Sequence, residues 1–145
     1  TIANRGYYFT PHIIKYIDGK ERIDSTYIMK KFTSVSPKNF EIIIDGMENV
    51  IKSTDGTAHN IFSDSIIMCG KTGTAQNPHG KDHSIFIAFA PKDNPKIAIA
   101  VYVENGGWGS TWAAPIAGLM IQKYTKTLIN ENLENFILEG TISNQ

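Results

Sequence analysis

Between Ser65 and Val103 the chain carries three strand-forming runs joined by short connections. They are Ser65–Ala75, Ser84–Ala90 and Lys96–Val103, separated by Asn77-Pro78-His79-Gly80-Lys81-Asp82 and Pro91-Lys92-Asp93-Asn94-Pro95. Parallel neighbours need a crossover of roughly a dozen residues or more, and neither connection is that long. The spacing therefore predicts an antiparallel meander. In the third run Ile97, Ile99, Val101 and Val103 share one face, and Ala98, Ala100 and Tyr102 the other. With both faces apolar, this strand is expected to be covered on both sides.

Helices are expected on either side of the meander. Ser36-Pro37 reads as a helix start: serine caps free N–H groups, and proline at the first helical position sacrifices no bond. Phe40, Ile43, Ile44, Met47, Val50 and Ile51 then recur at helical spacing, and Asp55-Gly56 closes the unit. Gly106-Gly107-Trp108-Gly109-Ser110 reads as a flexible turn leading into a helix from about Trp112 to Leu128. Its apolar stripe is Ile116, Leu119, Met120, Lys123 and Tyr124, and its small residues Ala113, Ala114, Ala117 and Gly118 permit close packing on a sheet. Upstream, Pro11–Ile17 is a candidate strand, Asp18-Gly19 a turn and Arg22-Ile23 a short return strand, with Tyr7, Tyr8 and Phe9 in the core. Residues 130–145 read as a polar tail that frays. The fold class is α+β: an antiparallel sheet with packed helices.

Charge narrows the functions. Lysine plus arginine and aspartate plus glutamate both number 14. A nucleic-acid surface would need a basic excess, so nucleic acid is not expected as a partner. No apolar stretch approaches the roughly 20 residues of a membrane helix. Cys69 is the only cysteine, which excludes an intrachain disulfide and a thiolate zinc cage. It reads as a small buried hydrophobe.

The chemistry concentrates in Gly70-Lys71-Thr72-Gly73-Thr74. A phosphate-binding P-loop ends in Gly-Lys-Thr, but it needs a glycine where Ser65 stands and a helix after the lysine. Ile66-Ile67-Met68-Cys69 is a strand sequence, and Asn77-Pro78 soon breaks the chain. The second reading is the Lys-Thr-Gly element of serine acyl-transferases. On a strand beside a cleft, a lysine attracts a carboxylate, threonine hydroxyls donate to it and glycine leaves room for a substrate backbone. A strand N–H can stabilise an oxyanion, and an edge strand can pair with an extended peptide. The plain alternative is a strand end carrying a lysine and two threonines, which the four residues alone would favour.

The surroundings decide. Ala3–His12, Gly46-Met47 with Gly56-Thr57-Ala58, Gly70–Gln76, Asp82-His83 before Phe89-Ala90-Pro91, and Val103–Gly107 occur in an order that resembles the C-terminal part of class B penicillin-binding proteins. The likeness runs from about Ala3 to Tyr124 and is to the elongation-associated penicillin-binding protein 2 type. It implies the sheet-bearing portion of a β-lactamase/transpeptidase-like fold. It also implies a D,D-transpeptidase that cross-links peptidoglycan stem peptides through an acyl-serine and binds β-lactams. No cofactor or metal is implied. The parent protein would sit at the periplasmic face of the inner membrane with the cell-elongation machinery. By resemblance Lys71 is the third-motif lysine, Thr72 and Thr74 bind the carboxylate, the Thr74 N–H forms half of the oxyanion hole and Gly73 gives clearance. The loop from Asn77 to His83 would border the cleft.

The chain departs from the family pattern in two places. None of its lysines has a serine three positions earlier, so Ser-x-x-Lys, which supplies nucleophile and base, is absent. Ser-x-Asn is absent too, and Ser53-Thr54-Asp55 is only superficially similar. Both motifs precede Thr1 in family order. The chain is therefore expected to be a C-terminal piece over 1–145, inactive alone and prone to self-association through an uncovered sheet face. Lys-Thr-Gly is shared with β-lactam sensors and with carboxypeptidases and β-lactamases of the same fold, so those alternatives stay open on the motif alone. A metal site at His79, Asp82 and His83 lacks a third strong ligand at suitable spacing, and shaping of the loop is the better expectation for Asp82 and His83. Trp108 and Trp112 are expected to pack on the sheet, with cleft lining as the alternative.

Overall fold

The computed structural model describes residues 1–13 and 25–142. They form two compact units, Thr1–Ile43 and Ile44 onward, and the boundary falls within one helix.

In the first unit, strands β1 (Tyr7–Tyr8) and β2 (Lys31–Phe32) pair antiparallel, with helix α1 (Ser25–Ile28) between them in sequence. Gly6 takes a φ of 108°, and a Cβ there would stand 2.8 Å from the Phe40 ring. Conformation and space both require glycine. Arg5 Nε donates to Glu41 Oε1 at 2.8 Å. Tyr8 and Phe9 are 36% and 43% exposed, so the expected aromatic core does not form. Successive residues of an extended run point to opposite sides, and a two-stranded ribbon cannot bury them all. Tyr7 alone is half-buried, edge-on to Phe9 and beside Phe32. Pro11–Ile13 are not in a strand. The rest of that expected strand, with Asp18-Gly19 and Arg22-Ile23, lies outside the described residues.

Helix α2 (Pro37–Lys52) starts where Ser36-Pro37 placed it. Phe40, Ile44, Met47 and Ile51 form its narrow buried stripe. Ile43, on the flank of that stripe, is 53% exposed, contrary to expectation. In the second unit, β3 (Cys69–Ala75), β4 (His83–Ala90) and β5 (Ile97–Val103) make the expected antiparallel meander in the order β3-β4-β5. Strand β3 begins at Cys69 and not at Ser65. Cys69 pairs with Phe89, so continued pairing would bring Ile67 opposite Pro91, which has no N–H to donate. The Ile67 carbonyl accepts from the Lys92 N–H instead, at 3.0 Å.

Helix α3 (Ala113–Thr125) lies on β4 and β5. It buries Ala113, Ala114, Ala117, Gly118 and Ile121. Met120 and Tyr124 from the expected stripe are 52% and 59% exposed. Close approach decides which face turns inward: a Cβ on Gly118 would lie 3.1 Å from the Ile61 Cβ, so the small-residue side must be the inner one. Phe86, Ala88 and Ala90 of β4 meet this helix in the main core, with Ile97, Ile99, Val101 and Val103 of β5 packed against it. Ala98, Ala100 and Tyr102 on the other face of β5 are exposed, so among the described residues this strand is covered on one side only. The polar tail holds a helix, α4 (Glu131–Glu139). Asn130 caps it by accepting from the Leu133 N–H at 3.1 Å, Leu133 is buried, and Phe136 stacks on Trp112 at 5.3 Å. The cap explains the helix: an asparagine side chain satisfies an N–H that a fraying tail would leave to water.

Lys92, on the β4–β5 connection, ties that turn to α2. Its ammonium donates to Asp45 at 2.7 Å and to Glu48 at 2.5 Å. These bonds, Asp45 first and Glu48 second, raise the lysine pKa. The Lys92 bond, followed by that of Lys52, holds the Glu48 carboxyl below its ordinary value of 4.5. A carboxyl lowered by folding stabilises the fold fully above its unfolded pKa and loses that contribution as pH falls through the folded value. Replacing Lys92→Met should cost about 1–2 kcal/mol at neutral pH. In thermal unfolding the gap from wild type should close as pH falls below that of an ordinary carboxylate. A gap that persists in acid would mean that Lys92 acts by packing and not by charge.

Candidate active site

Strand β3 is an edge strand among the described residues, with β4 on one side only. Its register on β4 sorts the side chains. Lys71 and Gly73 pair with Ile87 and Ile85 on the face away from α3, while Thr72 and Thr74 pair with Phe86 and Ser84 on the α3 face. Lys71 and Thr74 are exposed, and Thr72 and Gly73 are half-buried. The Lys71 ammonium donates to the Thr72 carbonyl at 2.8 Å and lies 3.5 Å from the Thr72 hydroxyl. That hydroxyl shares a 2.9 Å hydrogen bond with the hydroxyl of Thr57. An exposed cation and three hydroxyls thus line a stretch of strand whose outer edge no described strand occupies. Such a surface attracts and hydrogen-bonds an anion such as a carboxylate.

The glycines differ in what holds them. A Cβ on Gly70 would lie 2.3 Å from the Phe86 ring. A Cβ on Gly109 would lie 2.4 Å from the Ile85 carbonyl oxygen and 2.6 Å from that of Gly73. Both positions must be glycine for the chain to close on itself. Gly73 is different: a Cβ there would meet Ile85 at 3.4 Å, an ordinary contact. The chain's own packing does not require glycine at 73.

The segment read as a flexible turn is anchored. The buried Ser84 hydroxyl donates to the Trp108 carbonyl at 2.8 Å and accepts from the Ala113 N–H at 3.1 Å. The Asn60 amide donates to the Ser110 carbonyl at 2.9 Å. Gly109 is thereby laid on the Gly73–Ile85 pair. Ser84, Gly109 and the hydroxyl partnership of Thr57 escape sequence reasoning, because each depends on contact between distant segments. The one available hint is the glycine content of 106–109, which also signals close backbone approach. Trp108 is 73% exposed and does not pack on the sheet, whereas Trp112 stacks on Phe136. Cys69 is fully buried.

The loop before β4 is shaped as expected for Asp82 and His83. Asp82 Oδ1 accepts from the Asn77 N–H at 3.1 Å, and its carbonyl accepts from the Gly107 N–H at 2.7 Å. His83 Nδ1 accepts from the Asn105 N–H at 3.0 Å, which places the neutral ring's proton on Nε2. Asn77 Nδ2 donates to Asn105 Oδ1 at 2.8 Å. His79 contributes its backbone N–H, which donates to Asn77 Oδ1 at 3.0 Å. The loop after the Lys-Thr-Gly strand and the turn after β5 are therefore joined.

Lys-Thr-Gly, a motif of the penicillin-binding serine acyl-transferases, here lies on the open edge of an antiparallel meander backed by a helix. The penicillin-binding protein transpeptidase domain matches residues 1–122, and the chain belongs to that family. Its likeness is to the class B, penicillin-binding protein 2 type. The peptidoglycan D,D-transpeptidase MrdA of Haemophilus influenzae is 33% identical over 141 residues, which is 85% of this chain and 22% of that protein. The crystal structure of Pseudomonas aeruginosa PBP2 in complex with WCK 5153 superposes with a TM-score of 0.70 at 37% identity, over 85% of this chain and 28% of that one. PBP2 from Helicobacter pylori in complex with MreC matches at 31% identity and a TM-score of 0.50, over 66% of this chain and 18% of that one. The chain thus spans less than a third of the length of each of these proteins.

The fit of Gly109 gives a structural prediction. Gly109→Ala forces a methyl into two backbone carbonyls, which cannot rotate away as a side chain can. It should destabilise the fold by about 1–3 kcal/mol. Gly73→Ala, with an ordinary contact, should cost less than about 1 kcal/mol. Urea denaturation compares them, and equal losses would contradict the packing described.

Proposed function

We propose that this chain is the third-motif half of the active site of a peptidoglycan D,D-transpeptidase of the penicillin-binding protein 2 type. A serine, supplied by sequence that this chain does not contain, attacks the penultimate D-alanine carbonyl of a stem peptide. The C–N bond to the terminal D-alanine breaks and that residue leaves as the amine, taking up a proton. An amine of a neighbouring stem then attacks the acyl-serine ester, forms the cross-link and returns the proton to the serine oxygen. β-Lactams acylate the same serine.

Each residue of the motif takes a part that its geometry can serve. The exposed ammonium of Lys71 draws the substrate carboxylate toward the strand and lowers the energy of charge that develops beside it. The hydroxyls of Thr72 and Thr74 donate to that carboxylate. The Thr74 N–H donates to the oxyanion of the tetrahedral intermediate. The open edge of β3 accepts the peptide as an added strand.

The observation that carries this reading is Gly73. Unlike Gly70 and Gly109, it meets nothing in its own chain closer than an ordinary contact. The room this leaves beside Lys71 is open to a substrate backbone, which is what the proposed role of Gly73 needs. The penicillin-binding family match and the name of the H. influenzae relative support the same chemistry. The PBP2–MreC complex supports a place in a cell-elongation assembly, and the periplasmic side of the inner membrane is proposed from the family alone. No described helix is long and apolar enough to cross a membrane.

Two labelling experiments test the proposal. A fluorescent penicillin should label the full-length protein covalently and leave this chain, which lacks Ser-x-x-Lys, unlabelled. In the full-length protein, Lys71→Ala should slow acylation by about 100-fold or more, with the circular dichroism spectrum unchanged. Stoichiometric labelling of the isolated chain, or near-normal acylation by the Lys71 variant, would refute the roles assigned.

A further inference from the structure

Ser84 is fully buried, and both partners of its hydroxyl lie outside its own strand. Ala113, whose N–H it accepts, is the first residue of α3. The N–H groups of a helix's first turn have no partner within the helix. The neighbouring cap position is Trp112, whose side chain makes no capping bond. A hydroxyl on β4 therefore caps this helix from across the core. The same hydroxyl donates to the Trp108 carbonyl, so the segment entering the helix is held at both ends. Between the two anchors Gly109 presses on the backbone of Gly73 and Ile85.

We propose that Ser84 is a positioning residue for acyl transfer: by clamping Trp108–Gly109 onto β3 it sets the place of the Gly73–Thr74 peptide. The inference rests on the transpeptidase reading above. Ser84 stands directly opposite Thr74 in the ladder, and the Gly109 backbone abuts both the nitrogen and the carbonyl oxygen of Gly73. The Gly73 carbonyl and the Thr74 N–H belong to one planar peptide, so a contact on that carbonyl bears on the direction of the N–H. Without the Ser84 hydroxyl the Trp108 carbonyl and the Ala113 N–H lose their common partner, the clamp loosens, and that N–H swings away from the position of the oxyanion. The oxyanion exists in the transition state and not in the encounter complex. The loss should therefore fall on the acylation step and not on initial binding.

Stopped-flow acylation of the full-length protein by a fluorescent penicillin separates the two steps. Ser84→Ala should lower the limiting acylation rate about tenfold, as expected for a misplaced oxyanion donor. The dissociation constant of the noncovalent complex should stay within about twofold. Ser84→Cys, of similar volume but a weaker hydrogen-bonding group, should fall between Ala and wild type. Lys92→Met, which weakens the fold away from β3, should acylate at the wild-type rate. Wild-type rates in both Ser84 variants would overturn the inference. So would an equal loss in Lys92→Met, or failure of both Ser84 variants to fold, since either would make Ser84 a stability residue only. A wild-type protein that the penicillin does not label would instead overturn the transpeptidase reading.

Discussion

The Phe86 ring occupies the place where Gly70 would carry a Cβ, and the rest of the site depends on that fit. Phe86 is fully buried in the core beneath α3. Only a glycine can lie over it, so β3 has one register on β4. A slip of one residue would bring the Cβ of Cys69 or Lys71 against the ring. It would also turn Lys71 toward the core and send Thr72 and Thr74 to the opposite face, because side chains alternate along a strand. The lysine charge would then have to be buried without a partner, at a cost of several kcal/mol. The packing of Gly70 on Phe86 thus decides which face of β3 carries Lys71 and which carries Thr72 and Thr74.

With the register fixed, the polar contacts assemble from three directions. Thr57 reaches Thr72 from the segment after α2, Gly109 rests on Gly73 from the turn before α3, and Asp82 and His83 hold the loop that follows the motif. None of these bonds is strong alone. Each removes a freedom from the Lys71–Thr74 backbone, which is what a preorganised anion site needs if its donors are not to rearrange during reaction.

The meander and α2 were legible in the sequence because their signals are local: strand runs with short connections, and a Ser-Pro start before a helical apolar period. The roles proposed for Lys71, Thr72, Gly73 and Thr74 rest on motif and surroundings together, and the structure adds that all four lie on the open edge of the meander. What escaped depends on contact. The start of β3 is set by Pro91, which is distant in sequence. The inward face of α3 is set by Ile61, against which only Gly118 and its small neighbours fit, so the larger stripe with Met120 and Tyr124 turns outward. Helix α4 hangs on the Asn130 cap and on the stack of Phe136 on Trp112, in a stretch whose composition reads as a tail. Ser84 looks like any strand serine until α3 is placed over it.

The central claim is that Lys71–Thr74 is a strand-borne binder of carboxylate and oxyanion. A crystal structure of the full-length protein acylated by a β-lactam tests it most directly. The account predicts the acyl carbonyl oxygen about 2.7–3.1 Å from the Thr74 nitrogen, with the ligand carboxylate in hydrogen-bond contact with the hydroxyls of Thr72 and Thr74 and facing the Lys71 ammonium. A carboxylate bound elsewhere, with the acyl oxygen turned away from the Thr74 N–H, would contradict it.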